Sequence, residues 1–176
     1  MGDPKKQRKK YSGPQHPWRR TRIEEEKILV EEYGLRNKKD LWKTTSKLGH
    51  FKKQAKSLIA RQGAQAGLER KLFLTKLQKL GLIGIDATVD DVLSLAAKDL
   101  FERRLQTLLY RKGFAHSTLQ ARQFIVHKHV SIGDRTINIP SYQVSLDEES
   151  EISLNIVLAN TDKKSSLQKI KEEITG

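Results

Sequence analysis

Between Asp99 and Val144 the apolar residues change period, and that change limits the fold more than any other feature of the chain. Phe101, Leu105 and Leu108 recur at i, i+4 and i+7 with Leu109 alongside, the stripe of an amphipathic helix beginning at Asp99, with Arg104 and Arg111 along its edge. Gly113 is placed to stop that helix, Ser117 to cap the next, and Ala121, Phe124 and Ile125 give the second helix a facing stripe. So short a connection makes the two helices neighbours. Beyond His129 the period falls to two: Val130 and Ile132 share a strand face, Gly133 and Asp134 form a hairpin turn, and Ile137 and Ile139 point inward on the return strand until Pro140 ends it. Tyr142 and Val144, then Ile152 and Leu154, supply two further short strands. The segment therefore predicts an α+β unit, a helix hairpin packed on a short antiparallel sheet.

Upstream the reading is helical. Ile23 to Tyr33 forms a short acidic helix that Gly34 stops, and Asn37 caps a helix from Lys38 through Leu41, Trp42, Leu48, Phe51, Ala55, Leu58 and Ile59, bent near Gly49. Gln65 to Leu80 continues with Leu68, Leu72, Leu77 and Leu80 as its apolar stripe and Arg70, Lys71, Lys76 and Lys79 around it. Gly81 to Gly84 has the outline of a GXXG loop, but apolar inner residues and the following Asp86 make it a turn. Thr88 and Asp91 read as a capping box for a short helix.

Charge is distributed in blocks. Met1 to Arg22 carries eight Lys/Arg against one acid, Ile23 to Leu35 one against five, and Arg36 to Leu80 thirteen against two. From Gly81 to Arg135 the count is eight against six, and from Thr136 to Gly176 four against seven. Two basic blocks thus hold almost all of the net +13, which points to a polyanionic partner. The first block, with three prolines, cannot build an apolar face and is expected to be an extended basic arm. Tyr11, His16 and Trp18 among its cations favour stacking and phosphate contact over a solvated tail.

Other classes are excluded or disfavoured on chemistry. No apolar run approaches the roughly 20 residues of a membrane span, so no membrane association is expected and the protein is read as soluble and intracellular. Without cysteine there is neither a disulfide framework nor a thiolate zinc site. His127 and His129 lack the further ligands a zinc site needs, so neither metal nor cofactor is expected. No phosphate loop, dinucleotide fingerprint or metalloprotease helix is present, which argues against an enzyme.

ArgArgLeuGln at Arg103 to Gln106, SerThrLeuGlnAlaArgGlnPheIle at Ser117 to Ile125, and HisValSerIle followed by ProSerTyr resemble the RNA-binding domain named after small-subunit ribosomal protein four. The basic N-terminus through Arg20 and the GluGluGluLys that follows resemble the archaeal form of that ribosomal family. Two positions depart from its pattern: Lys128 stands where glycine is usual before the histidine, and Gly133–Asp134 replaces the common AsnGly turn. The resemblance implies four parts: arm 1–22, helical rRNA-binding subdomain 23–98, RNA-binding domain 99–160 and tail 161–176.

It also implies a structural component of the small ribosomal subunit. Such a protein binds small-subunit rRNA early in assembly, touches neighbouring ribosomal proteins including small-subunit protein five, supports translational accuracy and lies near messenger RNA at the entry channel. The candidate RNA contacts are Lys5, Lys6, Arg8, Lys9, Lys10, Trp18, Arg19, Arg20 and Arg22 in the arm, and Lys43, Lys47, Lys52, Lys53, Lys56 and Arg61 in the helical block. In the hairpin they are Arg103, Arg104, Arg111, Lys112, Ser117, Arg122, Gln123, His127, Lys128 and His129. Against this stand simpler roles: Arg103 and Arg104 salt-bridging Asp99 or Glu102, and the acidic segments Asp147 to Glu151 and Lys163 to Glu173 as solvated ends or contacts for a basic neighbour. The rival functions are a nucleolar-type relative that processes precursor rRNA and an RNA-modifying enzyme carrying the same small domain.

Overall fold

The computed structural model describes Lys9 and residues 11–155. Candidate contacts Lys5, Lys6, Arg8 and Lys10, and the tail from 156 onward, lie outside the described residues. The elements are α1 (Arg20–Glu32), α2 (Lys38–Ala60), α3 (Ala64–Lys79), α4 (Asp91–Ser94), α5 (Ala97–Glu102), α6 (Leu105–Arg111), α7 (Thr118–Val126), β1 (Val130–Ile132), β2 (Arg135–Thr136), α8 (Leu146–Ser150) and β3 (Ile152–Leu154). No helix among the described residues is long and apolar enough to cross a membrane.

The expected caps form. Asn37 Oδ1 accepts from the Asp40 amide at 3.3 Å, and Ser117 Oγ accepts from the Gln120 amide at 3.1 Å. Gly113 leaves α6 with φ 78°. Half of the Thr88–Asp91 capping box forms: the Thr88 amide donates to Asp91 Oδ2 at 2.7 Å, but the Thr88 hydroxyl donates to the same oxygen at 3.0 Å instead of accepting an amide. Ser145 and Glu148 supply a reciprocal capping box at α8 that the sequence reading did not identify.

The first helix of the hairpin is two helices. Arg104 takes an extended φ of −78° and ψ of 140°, Arg104 bridges Gln143, and the Leu105 amide donates to the Tyr142 carbonyl at 2.9 Å. The chain at Tyr142 and Gln143 thus competes for backbone groups that a continuous helix would pair internally. Phe101 consequently leaves the predicted stripe: it packs with Tyr33, Leu35 and Leu41, its ring 5.1 Å from that of Tyr33. A second cluster joins α2, α3, α4 and α5 through Phe51, Leu58, Phe73, Leu77, Val92 and Leu100. A third holds α6 and α7 on the sheet through Leu105, Leu109, Ile125, Val130 and Val144.

The sheet has three antiparallel strands in the order β2-β1-β3, with Ile132 opposite both Arg135 and Ile152. Gly133 has φ 54° and Asp134 stays negative, the first-position pattern of a II′ turn. Two expectations fail here. Ile139 is 54% exposed, because the pairing with β1 ends at the Ile137 amide, which donates to the Val130 carbonyl at 3.0 Å, and the chain leaves the sheet before Pro140. Tyr142 and Val144 form no strand; Val144 is fully buried while its amide donates to the Arg103 carbonyl at 3.0 Å. On α3, Leu68 and Leu72 are exposed and Ala66, Phe73 and Leu77 are buried, so the packed face is rotated from the predicted leucine stripe.

Candidate nucleic-acid interface

The basic residues separate by their partners. On α2, Lys39, Lys43 and Lys47 recur every fourth position and form one cationic ridge. A groove of about 940 Å³ lies against it, lined by Lys9, Tyr11, Lys43, Ser46, Lys47 and His50. The segment before α1 is laid along this ridge: the Ser12 amide donates to Ser46 Oγ at 3.0 Å, and the Tyr11 ring stacks on Trp42 at 6.3 Å. Lys9 and Lys39 place their ammonium groups 4.5 and 5.7 Å from the Tyr11 ring centroid. Lys47 donates to Gln143 Oε1, joining α2 to the segment between β2 and α8. Burial lowers the Lys47 pKa, and the like charge of Lys76 lowers it further.

Lys43 continues from this groove into two concavities of about 360 and 290 Å³ that share Asp40, Arg104 and Ser141. Arg36, Lys39 and Arg122 line the smaller one. Neither Arg36 nor Lys39 was among the candidates, although their positions flanking the Asn37 cap were the available signal. Lys53 and Lys56 are exposed on α2 and Lys52 is half-buried. Trp18 is 91% exposed, an aromatic face open to a stacking base.

Other candidates are occupied within the protein. Arg103 donates to Glu149 Oε2 at 2.7 Å and to the Val144 carbonyl at 3.2 Å, and Lys112 donates to the Glu149 carbonyl. Arg111 is bidentate on Glu102 at 3.2 and 2.9 Å, and Tyr33 Oη donates to the same carboxylate at 2.9 Å. Burial raises the Glu102 pKa, but the hydrogen bonds from Arg111 and Tyr33 outweigh it and leave the carboxyl below its ordinary value. Arg22 and Lys38 pair with Glu26, which also accepts from Trp42 Nε1 at 2.9 Å. Arg20 pairs with Glu24 at 2.7 Å, Arg19 donates to Thr21 Oγ1 at 3.3 Å, and Arg61 lies 3.4 Å from Glu69.

Arg104 differs most from its predicted place on an exposed helix edge: it is buried to 4% exposure, with Asp40 Oδ2 3.9 Å away. The carboxylate facing it comes from α2, not from the nearby Asp99 or Glu102. Beyond α7, His127 and His129 stack at 6.2 Å around Lys128, whose φ is 64°. Gln123 is exposed and Ser117 is engaged as a cap. Gln106, the last residue of the ArgArgLeuGln motif but not among the candidate contacts, is buried and donates to the carbonyls of Gly34 and Thr118 at 3.0 and 2.9 Å.

Residues 103–150 match the S4 domain family, the span that carries α6, α7, β1, β2 and α8. Beyond that domain, the chain is similar to the small ribosomal subunit protein uS4 of Saccharolobus islandicus strains L.S.2.15, M.14.25 and Y.G.57.14. Each is 48% identical over 153 residues, covering 86% of this chain and 84% of the relative. A match of that length runs through the helical block that bears the cationic ridge as well as the S4 domain, and the chain belongs to the uS4 family of small ribosomal subunit proteins.

Proposed function

We propose that this protein is a structural, non-catalytic component of the small ribosomal subunit that binds its rRNA and works in the cytoplasm as part of the ribosome. The observation that carries the reading is the continuity of one basic groove across both halves of the chain, from Lys9, Lys43 and Lys47 to Arg122. Phosphates of a folded RNA follow such a groove, and a rigid surface recognises their spacing in place of base sequence. The exposed Trp18 and the histidine pair flanking Lys128 add flat faces for stacking.

In finer detail, the arm 1–22, the block 23–98 and the domain 99–160 act together as one clamp on an rRNA junction early in assembly. Lys9, Lys43, Lys47, Lys53, Lys56, Arg122 and Lys128 are the contacts, while Arg103, Arg111 and Lys112 act through the shape they stabilise. Small-subunit protein five is the proposed protein neighbour, and through it the protein supports translational accuracy near messenger RNA at the entry channel. The test is co-sedimentation together with binding to a small-subunit rRNA fragment. The expected result is presence in mature small subunits and tighter binding to that fragment than to a shuffled RNA of equal length; presence on precursor RNA alone would replace this reading with a processing factor.

A further inference from the structure

We propose that the concavity between the first turn of α2 and the S4 domain is a phosphate socket, with Arg104 as its buried floor, and that it takes one phosphate group of the RNA backbone. The inference rests on the RNA-binding reading for the source of that phosphate. Arg104 is 4% exposed, and among the described residues its Nε and Nη2 have no hydrogen-bond partner. Leaving buried guanidinium donors unpaired is costly; both nitrogens are sealed from solvent, so a phosphate entering the concavity pairs with their fork once the guanidinium turns toward it. Asp40 does not satisfy them, since 3.9 Å is ion-pair range and too long for a hydrogen bond.

The surroundings favour an anion. Arg36, Lys39, Lys43 and Arg122 line the same space as Arg104, against the single carboxylate of Asp40. Among the described residues, Arg36, Lys39 and Arg122 make no ion pair, and Lys43 reaches Asp40 only at 4.0 Å. The space also lies beside the first turn of a 23-residue helix, the positive end of its dipole. A volume of about 290 Å³ admits one phosphate with its first waters.

The socket has walls from both halves of the protein: Arg36, Lys39 and Lys43 from α2 and its cap, Arg104 and Arg122 from the S4 domain. A phosphate held there draws five cations together and neutralises the repulsion between Arg104 and Arg122. Binding therefore couples the two halves, so that the RNA strand acts as a rivet between them.

The test is thermal unfolding of the full chain in inorganic phosphate against chloride at equal ionic strength, for the natural protein, Arg122→Ala/Lys43→Ala, and Lys71→Ala/Lys98→Ala as a charge-matched control. Both sets remove rim or surface residues, so folding is preserved where an Arg104 substitution would endanger it. The midpoint of the natural protein and of the control rises by about 4 °C in phosphate, and that of the rim variant does not. Saturation with rRNA fragment removes the gain, because the RNA already fills the socket. An equal gain in all three proteins, or none in the natural one, overturns the socket; a gain that persists on top of RNA overturns the backbone as its source. Firm rRNA binding without a phosphate gain would reject the socket and leave the ribosomal reading standing, whereas a rim-dependent gain without rRNA binding would do the reverse.

Discussion

Lys128 holds φ at 64°, and it is the one non-glycine residue among those described with a positive φ. Its Cβ meets the backbone carbonyl in that conformation at a cost of roughly 1–2 kcal/mol, part of which glycine would return as entropy in the unfolded chain. Lys128→Gly should therefore raise the unfolding free energy by about 1 kcal/mol while weakening RNA binding, measured by urea denaturation and by titration of the same sample. A lower urea midpoint would show that the lysine side chain holds the turn. Gly34 is the opposite case: its φ is 58°, and a Cβ there would stand 2.5 Å from Thr118 Oγ1. Gly34→Ala should cost about 2 kcal/mol or more, and Thr118→Ala in the same chain should recover only the part due to Oγ1, because the Thr118 Cβ at 2.8 Å and the backbone strain remain. Failure of the second substitution to recover anything would place the clash elsewhere. Of these two positions, the departure at Lys128 was legible in sequence as a missing glycine, and Gly34 was legible as a helix stop. That Gly34 must also admit Thr118 and Gln106 was not, because those residues are more than seventy positions away.

At the scale of elements, α1 is held on α2 by a buried carboxylate. Glu26 is 6% exposed and is met by Arg22, Lys38 and Trp42 from both helices. Burial alone would raise its pKa, but the hydrogen bonds from Trp42, Arg22 and Lys38 outweigh it and hold the carboxyl below its ordinary 4.5. A depressed folded-state pKa adds stability above the unfolded value, and that stability is lost as pH falls through the folded one. Glu26→Gln should thus cost about 2 kcal/mol at pH 7, and the gap to the natural protein should close below about pH 4.5. Denaturation curves at stepped pH decide it; a gap that is constant with pH would assign the cost to packing. The acidic run around Glu26 was legible as a helix, but the inward turn of this one carboxylate depends on Trp42 and Lys38 arriving from α2. The same limit explains the hairpin. Local period located α6, α7 and β1, whereas the break at Arg104 is imposed by residues 142–143 and leaves no local mark in the sequence.

The whole molecule divides its cations into those that bind the protein to itself and those left for a partner, a division that composition cannot express. Arg103, Lys112 and Arg111 are committed to Glu149 and Glu102, so their charges are already neutralised before RNA arrives. Lys39, Lys43 and Lys47 form the open ridge, and among the described residues only Lys43 of these has an acidic neighbour, at 4.0 Å. Counterion release counts only charges that newly meet phosphate, so the two sets should differ in salt dependence even where they change affinity alike. For Lys39→Ala/Lys43→Ala/Lys47→Ala the slope of log K against log salt should become shallower by about 2 to 3, at about 0.7 to 0.9 per lost phosphate contact. For Arg103→Ala/Lys112→Ala the slope should hold while unfolding stability drops, because a loosened α8 changes the shape presented and not the number of phosphates met. Fluorescence anisotropy with the rRNA fragment across a salt series measures both. Parallel slopes for the two variants would mean that the committed arginine and lysine exchange Glu149 for phosphate on binding, and the acidic α8 would then be a competitor for the RNA in place of a support beneath it.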